Sequence, residues 1–273
     1  MTVDDTLDRV SEGYDAREDM STQNLRDKFM DDFEDFRDLL EEGDVRAAEK
    51  NNEGDWEANP RVKEGILLSF SLGENAPFEG GYMEFQDKDT LPPQETFDEA
   101  RVVPGGSSIR SGAHVGDIIQ MPPSYINVGA HVGDGTMVDS EALVASAAQI
   151  GEDVHLSTGA KTGGVLEPVE ESPVIVEDNA FLGGNTGVYG GVVVREGAVL
   201  APGTQISSST PIYDTVEDEV YSGEVPENAV VIPGSVEYGE VQGESLNKQV
   251  PIVAKYKDAS TEAETALEGV LRD

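Results

Sequence analysis

The sequence predicts a mainly β protein built round a parallel solenoid, with a mixed helical part before it and an extension after it, and three observations carry that expectation. First, Ile126, Val132, Val138, Val144, Ile150, Leu156 and Thr162 fall six apart without a slip, each followed by a small or turn-forming residue: Asn127, Gly133, Asp139, Ala145, Gly151, Ser157 and Gly163. Second, the places four after the first six aliphatics hold small side chains: Ala130, Thr136, Ala142, Ala148, Val154 and Ala160. Third, the step returns at Val176, Leu182, Val188, Val194, Leu200, Ile206 and Ile212, and a shorter block, Val103, Ile109, Val115 and Met121, precedes the first. Six residues match neither the 3.6 period of a helix nor the alternation of a strand. They match one flat side of a coil with several equal sides, the aliphatic pointing inward and its small neighbour turning the corner.

In chain order, residues 1–20 are polar and acidic, with no apolar face, and are expected to fray. Leu25, Phe29, Phe33, Phe36 and Leu40 then recur at three- and four-residue steps, predicting an amphipathic helix that Gly43 closes. A second helix is expected over Val45 to Glu49, followed by a turn at Asn51 to Asp55 and then Trp56. The apolar run Gly65 to Phe70 fits a buried strand or part of a helix, because short runs do not decide between them. Residues 71–100, rich in Gly, Pro and acids, read as a connector with a short strand near Tyr82 to Phe85. The expected division is 1–100, a helical and mixed domain; 101–214, the coil, with an excursion loop over 163–175; and 215–273, strands at Val230 to Ile232 and Val250 to Ala254 with a last helix from Ser260 to Leu271, capped by Thr261. Two irregularities stand out in the coil. The step slips by one at Pro122-Pro123, and fourteen residues separate Thr162 from Val176 where twelve would keep phase. A loop thrown out of a regular coil is a common place for function.

The chain has 273 residues, 55 Asp plus Glu against 18 Lys plus Arg, a net charge of −37, and no Cys. The length allows a substantial interior. The absence of Cys excludes disulfides, a thiolate nucleophile and thiolate metal ligation. A field of this sign repels nucleic acid and anionic lipid, which argues against both as partners. With neither a basic, apolar leader nor an apolar run approaching about twenty residues, a cytoplasmic protein is expected. The acidic, Lys-poor composition suggests a salt-loving source. If so, the melting temperature rises from low salt into molar KCl, and a fall over that range would remove the idea.

The residues also resemble a family. Arg46-Ala47-Ala48-Glu49-Lys50 with Trp56, Gly65 to Phe70, Arg101 to Pro104, Pro123 to Ala130, Gly135 to Asp139, Ala148 to Gly151, Val154 to Ser157, Gly163 to Pro168, Val225-Pro226 and Leu271-Arg272 follow the order of the tetrahydrodipicolinate N-succinyltransferases, over nearly the whole length. The stretches Gly135 to Asp139 and Gly163 to Pro168 are the narrowest signals. The resemblance implies a hexapeptide-repeat, left-handed parallel β-helix assembled as a homotrimer, with sites between subunits. It implies transfer of a succinyl group from the cosubstrate succinyl-CoA to an amine in lysine and diaminopimelate synthesis, with no permanently bound cofactor.

Direct acyl transfer needs a neutral amine, a proton acceptor and donors near the thioester oxygen. By the resemblance, Asp139 contacts the amine and accepts its proton, and Arg101 grips a substrate carboxylate. Gly163, Gly164 and Gly183 are expected to offer N–H groups to the thioester or pantetheine, although corner packing also explains glycine there. This chain departs from the family at three places. A family Glu becomes Gly190 in Val188-Tyr189-Gly190-Gly191, an Arg-Ser pair becomes Asn185-Thr186, and a Thr-Trp pair becomes Ser140-Glu141. Those departures leave two alternatives: a related acyltransferase with another donor or acceptor, and a catalytically silent trimer. His114, His131 and His155, at equivalent repeat positions, are a competing set of general bases, and their spacing does not call for a metal.

Overall fold

The computed structural model describes residues 2–80, 83–97, 99–258 and 261–271. Tyr82, Ser260 and Arg272, where an expected strand, a helix start and a motif end fall, lie outside them. Helix α1 spans Val3–Ala16 and helix α2 Thr22–Glu42. The first corrects the expectation of a frayed start. Thr2 and Asp5 form a reciprocal cap, each side chain accepting the other's backbone N–H at 3.1 and 3.0 Å. Val3, Leu7, Val10 and Tyr14 step four, three and four along α1, a narrow stripe hidden among acids, and Leu7 and Val10 are buried. Helix α2 buries Leu25, Phe29, Phe33, Phe36 and Leu40, and ends at Gly43 with φ 82°.

Residues 48–58 correct the second expected helix. Ala48–Lys50 (β1) pairs antiparallel with Trp56–Ala58 (β2). The Asn51 side chain accepts from the N–H groups of Glu53 and Asp55 at 2.9 and 3.0 Å, folding the chain back before a helix can form. Gly65 to Phe70 belongs to helix α3, Pro60–Leu72, whose first position Pro60 fills without losing a hydrogen bond. Asn75–Gly80 (β3) and Met83–Lys88 (β4) make an antiparallel pair.

The coil has three parallel walls of two-residue strands. The first wall stacks Ser108–Ile109, Tyr125–Ile126, Leu143–Val144, Lys161–Thr162, Gly187–Val188 and Gln205–Ile206. The second stacks His114–Val115, His131–Val132, Gln149–Ile150, Ile175–Val176, Val193–Val194 and Glu224–Val225. The third runs from Arg101–Val102 through Ile119–Gln120, Met137–Val138, His155–Leu156, Phe181–Leu182 and Val199–Leu200 to Val230–Val231. The second residue of nearly every pair points inward, and one aliphatic interior runs the length of the coil. Most corners turn through a left-handed residue. Asp153, Asn179, Asn185 and Asn228, with φ of 52 to 59°, are types that tolerate that region. Glu141, at 62°, is not.

Three details of the register differ from expectation. Gln120, not Met121, occupies the interior beside Val138, so the six-step holds back to residue 120 and the slip lies at Gly116-Asp117 instead of at the prolines. A polar residue at an inward place disguised the phase. Between Thr162 and Val176 the chain passes one corner only, so six residues would keep phase and the excursion carries eight more. The parallel ladders also continue beyond residue 214 to Val225 and Val231, because Pro211–Asp214 leaves the coil to pair antiparallel with Glu219–Ser222 before the second wall resumes. Gln120 makes only long contacts to Ser108 O and Ser124 O, at 3.5 and 3.4 Å, and its Oε1 has no partner among the described residues. Burying that oxygen unpaired is costly. Gln120→Met is therefore expected to leave stability unchanged or raise it by about 1–2 kcal/mol, and a lower melting midpoint would contradict this account.

Helices α1 to α3 pack over the edge between the first and second walls, where Val128 and Ala147 join their core. Leu166 of the excursion loop packs on the same core, and the buried Lys63 of α3 donates to Glu171 O. Burial pushes the Lys63 pKa down. The outer edge of the first coil is covered as well. Ser111 N donates to Pro92 O and Gln94 N to Ile109 O, both at 2.8 Å, and Glu41 of α2 accepts from Gly112 N at 2.7 Å. At the far end, Ala229–Val241 and Glu244–Tyr256 form a long antiparallel hairpin. Helix α4, Ala263–Leu271, starts after Thr261 and lays Ala266 and Leu267 on Val199, Ala201 and Val230.

Candidate active site

Asp139 follows the Met137–Val138 strand at the edge between the third and first walls. Its Oδ1 accepts from Ser140 N at 2.7 Å and its Oδ2 from the Thr158 hydroxyl at 3.2 Å, so both oxygens are oriented while the carboxylate stays partly open to solvent. Ladder bonds from Asp139 N to Leu156 O and from Ser157 N to Leu182 O put Asp139, Ser157 and Gly183 on successive coils of this edge. Asp139 and Gly183 are thus roughly 10 Å apart along the axis, two strand spacings. Arg101 lies on the adjoining third wall, two rungs from Met137. It is exposed, with no ion pair among the described residues.

Gly163 and Gly164 lie elsewhere, at the edge between the first and second walls, where the excursion loop leaves. One chain therefore gathers Asp139, Arg101 and Gly183 and sets the other two glycines apart. The expected donor roles also divide. Gly163 N is committed to Val188 O at 2.7 Å and Gly183 N to Leu200 O at 2.8 Å, so neither can also serve a ligand. A Cβ at Gly183 would lie 2.7 Å from Leu200 O, and the close approach of the next coil accounts for that glycine. Gly164 N has no hydrogen-bond partner among the described residues, and Gly164 is exposed.

Two residues at the Asp139 edge were not singled out from the sequence. Thr158 orients the carboxylate, and Lys161, on the outer face of the first wall, donates to Gly159 O at 2.6 Å. A Lys retained at an outward coil position in so acidic a chain was the available signal. The departures cluster here too: Glu141 N donates to Pro123 O, and Asn185, at 57°, turns the same edge two coils on. Gly190 and Gly191, at 63 and 72°, turn the edge between the first and second walls.

The histidines do not converge. His114 and His131 stack at 4.3 Å on the second wall, and His155 meets Phe181 edge-on at 5.1 Å on the third. Burial, then the neighbouring Arg46 and His114 charges, hold the His131 pKa down at about 3. Among the described residues no group of three His, Cys, Asp or Glu is placed to hold a metal ion, and no helix is long and apolar enough to cross a membrane.

Comparison with known proteins matches this arrangement to one family. Residues 6–72 match the model of the tetrahydrodipicolinate N-succinyltransferase N-terminal domain, and residues 173–208 match that of the hexapeptide repeat of succinyl-transferase. The chain is 45% identical over 242 residues to the 2,3,4,5-tetrahydropyridine-2,6-dicarboxylate N-succinyltransferase of Polynucleobacter asymbioticus, covering 86% of each chain. It is 39% identical over 272 residues to that of Idiomarina loihiensis, covering 97% of each, and 43% identical over 239 residues to that of Acinetobacter baylyi, covering 85% of this chain and 86% of that one. With matched segments in both the helical part and the coil, and an alignment running nearly end to end, the chain belongs to the tetrahydrodipicolinate N-succinyltransferase family.

Proposed function

We propose that the protein transfers a succinyl group from succinyl-CoA to the amine of ring-opened tetrahydrodipicolinate, in the cytoplasm, within lysine and diaminopimelate synthesis. The observation that carries this reading is Asp139, a carboxylate oriented through both oxygens at a coil edge, in a chain that aligns along 97% of its length with a named succinyltransferase. The amine attacks the thioester carbonyl, the C–N bond forms, and the C–S bond breaks. Asp139 takes the amine proton, and the coenzyme A thiolate leaves to be protonated. Arg101, exposed and without an ion pair among the described residues, offers a fork to a substrate carboxylate. The free N–H of Gly164 faces the developing oxyanion.

Asp139 and Gly164 stand on different edges, so a single coil does not bring both to one substrate. A homotrimer of left-handed coils, with the Asp139 edge of one subunit beside the Gly164 edge of the next, supplies both. The test is release of thiol from succinyl-CoA in the presence of tetrahydrodipicolinate, in molar KCl; a zero rate there and at low salt would count against the reading. A second reading, an acyltransferase with another acceptor, is favoured by Glu141. Glu141, exposed and two residues after Asp139, adds a carboxylate to the corner that carries the proposed proton acceptor.

A further inference from the structure

The motif Arg46 to Lys50 with Trp56 has no part in the acyl-transfer reading, yet it lines a cavity away from the Asp139 edge. The β1–β2 hairpin stands off the second wall and encloses a space of about 250 Å³ lined by Arg46, Lys50, Trp56, Glu152, Asp178 and Glu196, among others. On one side the charges are already satisfied. Glu177 is buried, and its Oε1 accepts from Trp56 Nε1 and Lys50 Nζ at 2.8 Å and from Arg195 at 3.3 Å, while its Oε2 accepts from Glu196 N at 3.1 Å. None of these bonds comes from Arg46.

Arg46 is the exception. Its Nε donates to Gln149 Oε1 at 3.0 Å, and its guanidinium lies 5.7 Å from the Trp56 ring. No carboxylate lies within ion-pair distance of it among the described residues, although acids outnumber bases three to one in the chain. Its two terminal nitrogens have no hydrogen-bond partner among the described residues and are not sealed from solvent, and Arg46 lines the cavity. Burial holds its pKa below the usual guanidinium range, against the opposing pull of the Glu49 and Asp178 charges, neither of which is close enough to pair with it. The side chains of Glu152 and Glu196 have no hydrogen-bond or ion-pair partner among the described residues. A cationic fork and free carboxylates thus share one small cavity.

We propose that this cavity binds a small zwitterion of the α-amino acid type, its carboxylate on the Arg46 fork, its ammonium toward Glu152 and Glu196, and its chain against Trp56. Arg matches a carboxylate with two parallel N–H donors, and the acidic rim rejects a simple dianion such as a dicarboxylate. The site is on the second wall, away from the Asp139 edge, and does not depend on the acyl-transfer reading. It gives an amino acid a place to act on the enzyme without entering the reaction.

Trp56 is the only tryptophan in the chain, so its emission reports this cavity alone. Titration of the whole protein with L-lysine at constant KCl is expected to give a saturable change, with glutarate and cadaverine, the anion-only and cation-only probes, at least about tenfold weaker. Arg46→Gln and Arg46→Lys are both expected to weaken L-lysine by about tenfold or more. Arg46→Lys keeps the charge and guards against a folding defect, which far-ultraviolet circular dichroism checks. Asp139→Asn is expected to titrate as the unaltered protein does, so loss of the catalytic reading leaves this one standing. No saturable change with L-lysine, an unshifted titration in folded Arg46→Lys, or cadaverine equal to L-lysine would each overturn the proposal.

Discussion

Asp139→Asn is expected to lower thiol release from succinyl-CoA by about a hundredfold or more, the usual scale for a group that moves a proton, with the melting midpoint almost unchanged. The two halves of that result come from two oxygens. Asn retains an Oδ1 that accepts from Ser140 N, the 2.7 Å bond that shapes the turn, so the corner survives. Its amide has no charge with which to take a proton from an attacking amine. The Thr158 hydroxyl, which now donates to Oδ2 at 3.2 Å, would face an NH₂ group and turn to accept instead. Equal rates for the two proteins would end the assignment, and a rate lost together with the fold would reduce Asp139 to a corner residue.

The largest expected loss of stability is in the coil interior. Leu156 is fully buried, between Val138 on the coil before it and Leu182 on the coil after it. The walls around it are strands two residues long, held at ladder spacing by hydrogen bonds above and below, so they cannot close over a gap. Leu156→Ala is expected to cost about 2–5 kcal/mol, the removed methyl groups plus the cavity they leave. Leu246→Ala, in the exposed arm of the long hairpin, is expected to stay within about 0.5 kcal/mol. Denaturant melts of both proteins check the contrast, and similar losses would mean that the interior repacks.

The coil was legible because its physics is local: one inward aliphatic and one corner per side, repeated. Legibility failed where that marking failed. Gln120 fills an inward place with an amide, so the phase seemed to belong to Met121. Helix α1 hides four apolar residues among acids, and its reciprocal cap is plain only once Thr2 and Asp5 are read together. The β1–β2 hairpin depends on the Asn51 side chain and on a wall a hundred residues away, neither of which a local pattern registers.

The candidate site was legible in part. Asp139 and Arg101 could be named because each is a charged residue at a coil boundary, in stretches that resemble a family. Which of the named residues share an edge could not be read, since that requires counting corners in threes, and the excursion after Thr162 hides how many corners it passes. The roles of Gly163 and Gly183 failed for the same reason: whether an N–H is free depends on the next coil, not on the residue itself.

The cover over the first coil has a consequence for assembly. A stack of parallel coils ends in an open row of backbone donors and acceptors, a template on which another stack could grow. Pro92, Gln94 and Glu41 occupy that row here, at the entrance of the coil. The helical part therefore acts as a stopper, and a chain cut back to its coil would expose the row and thread end to end into fibres.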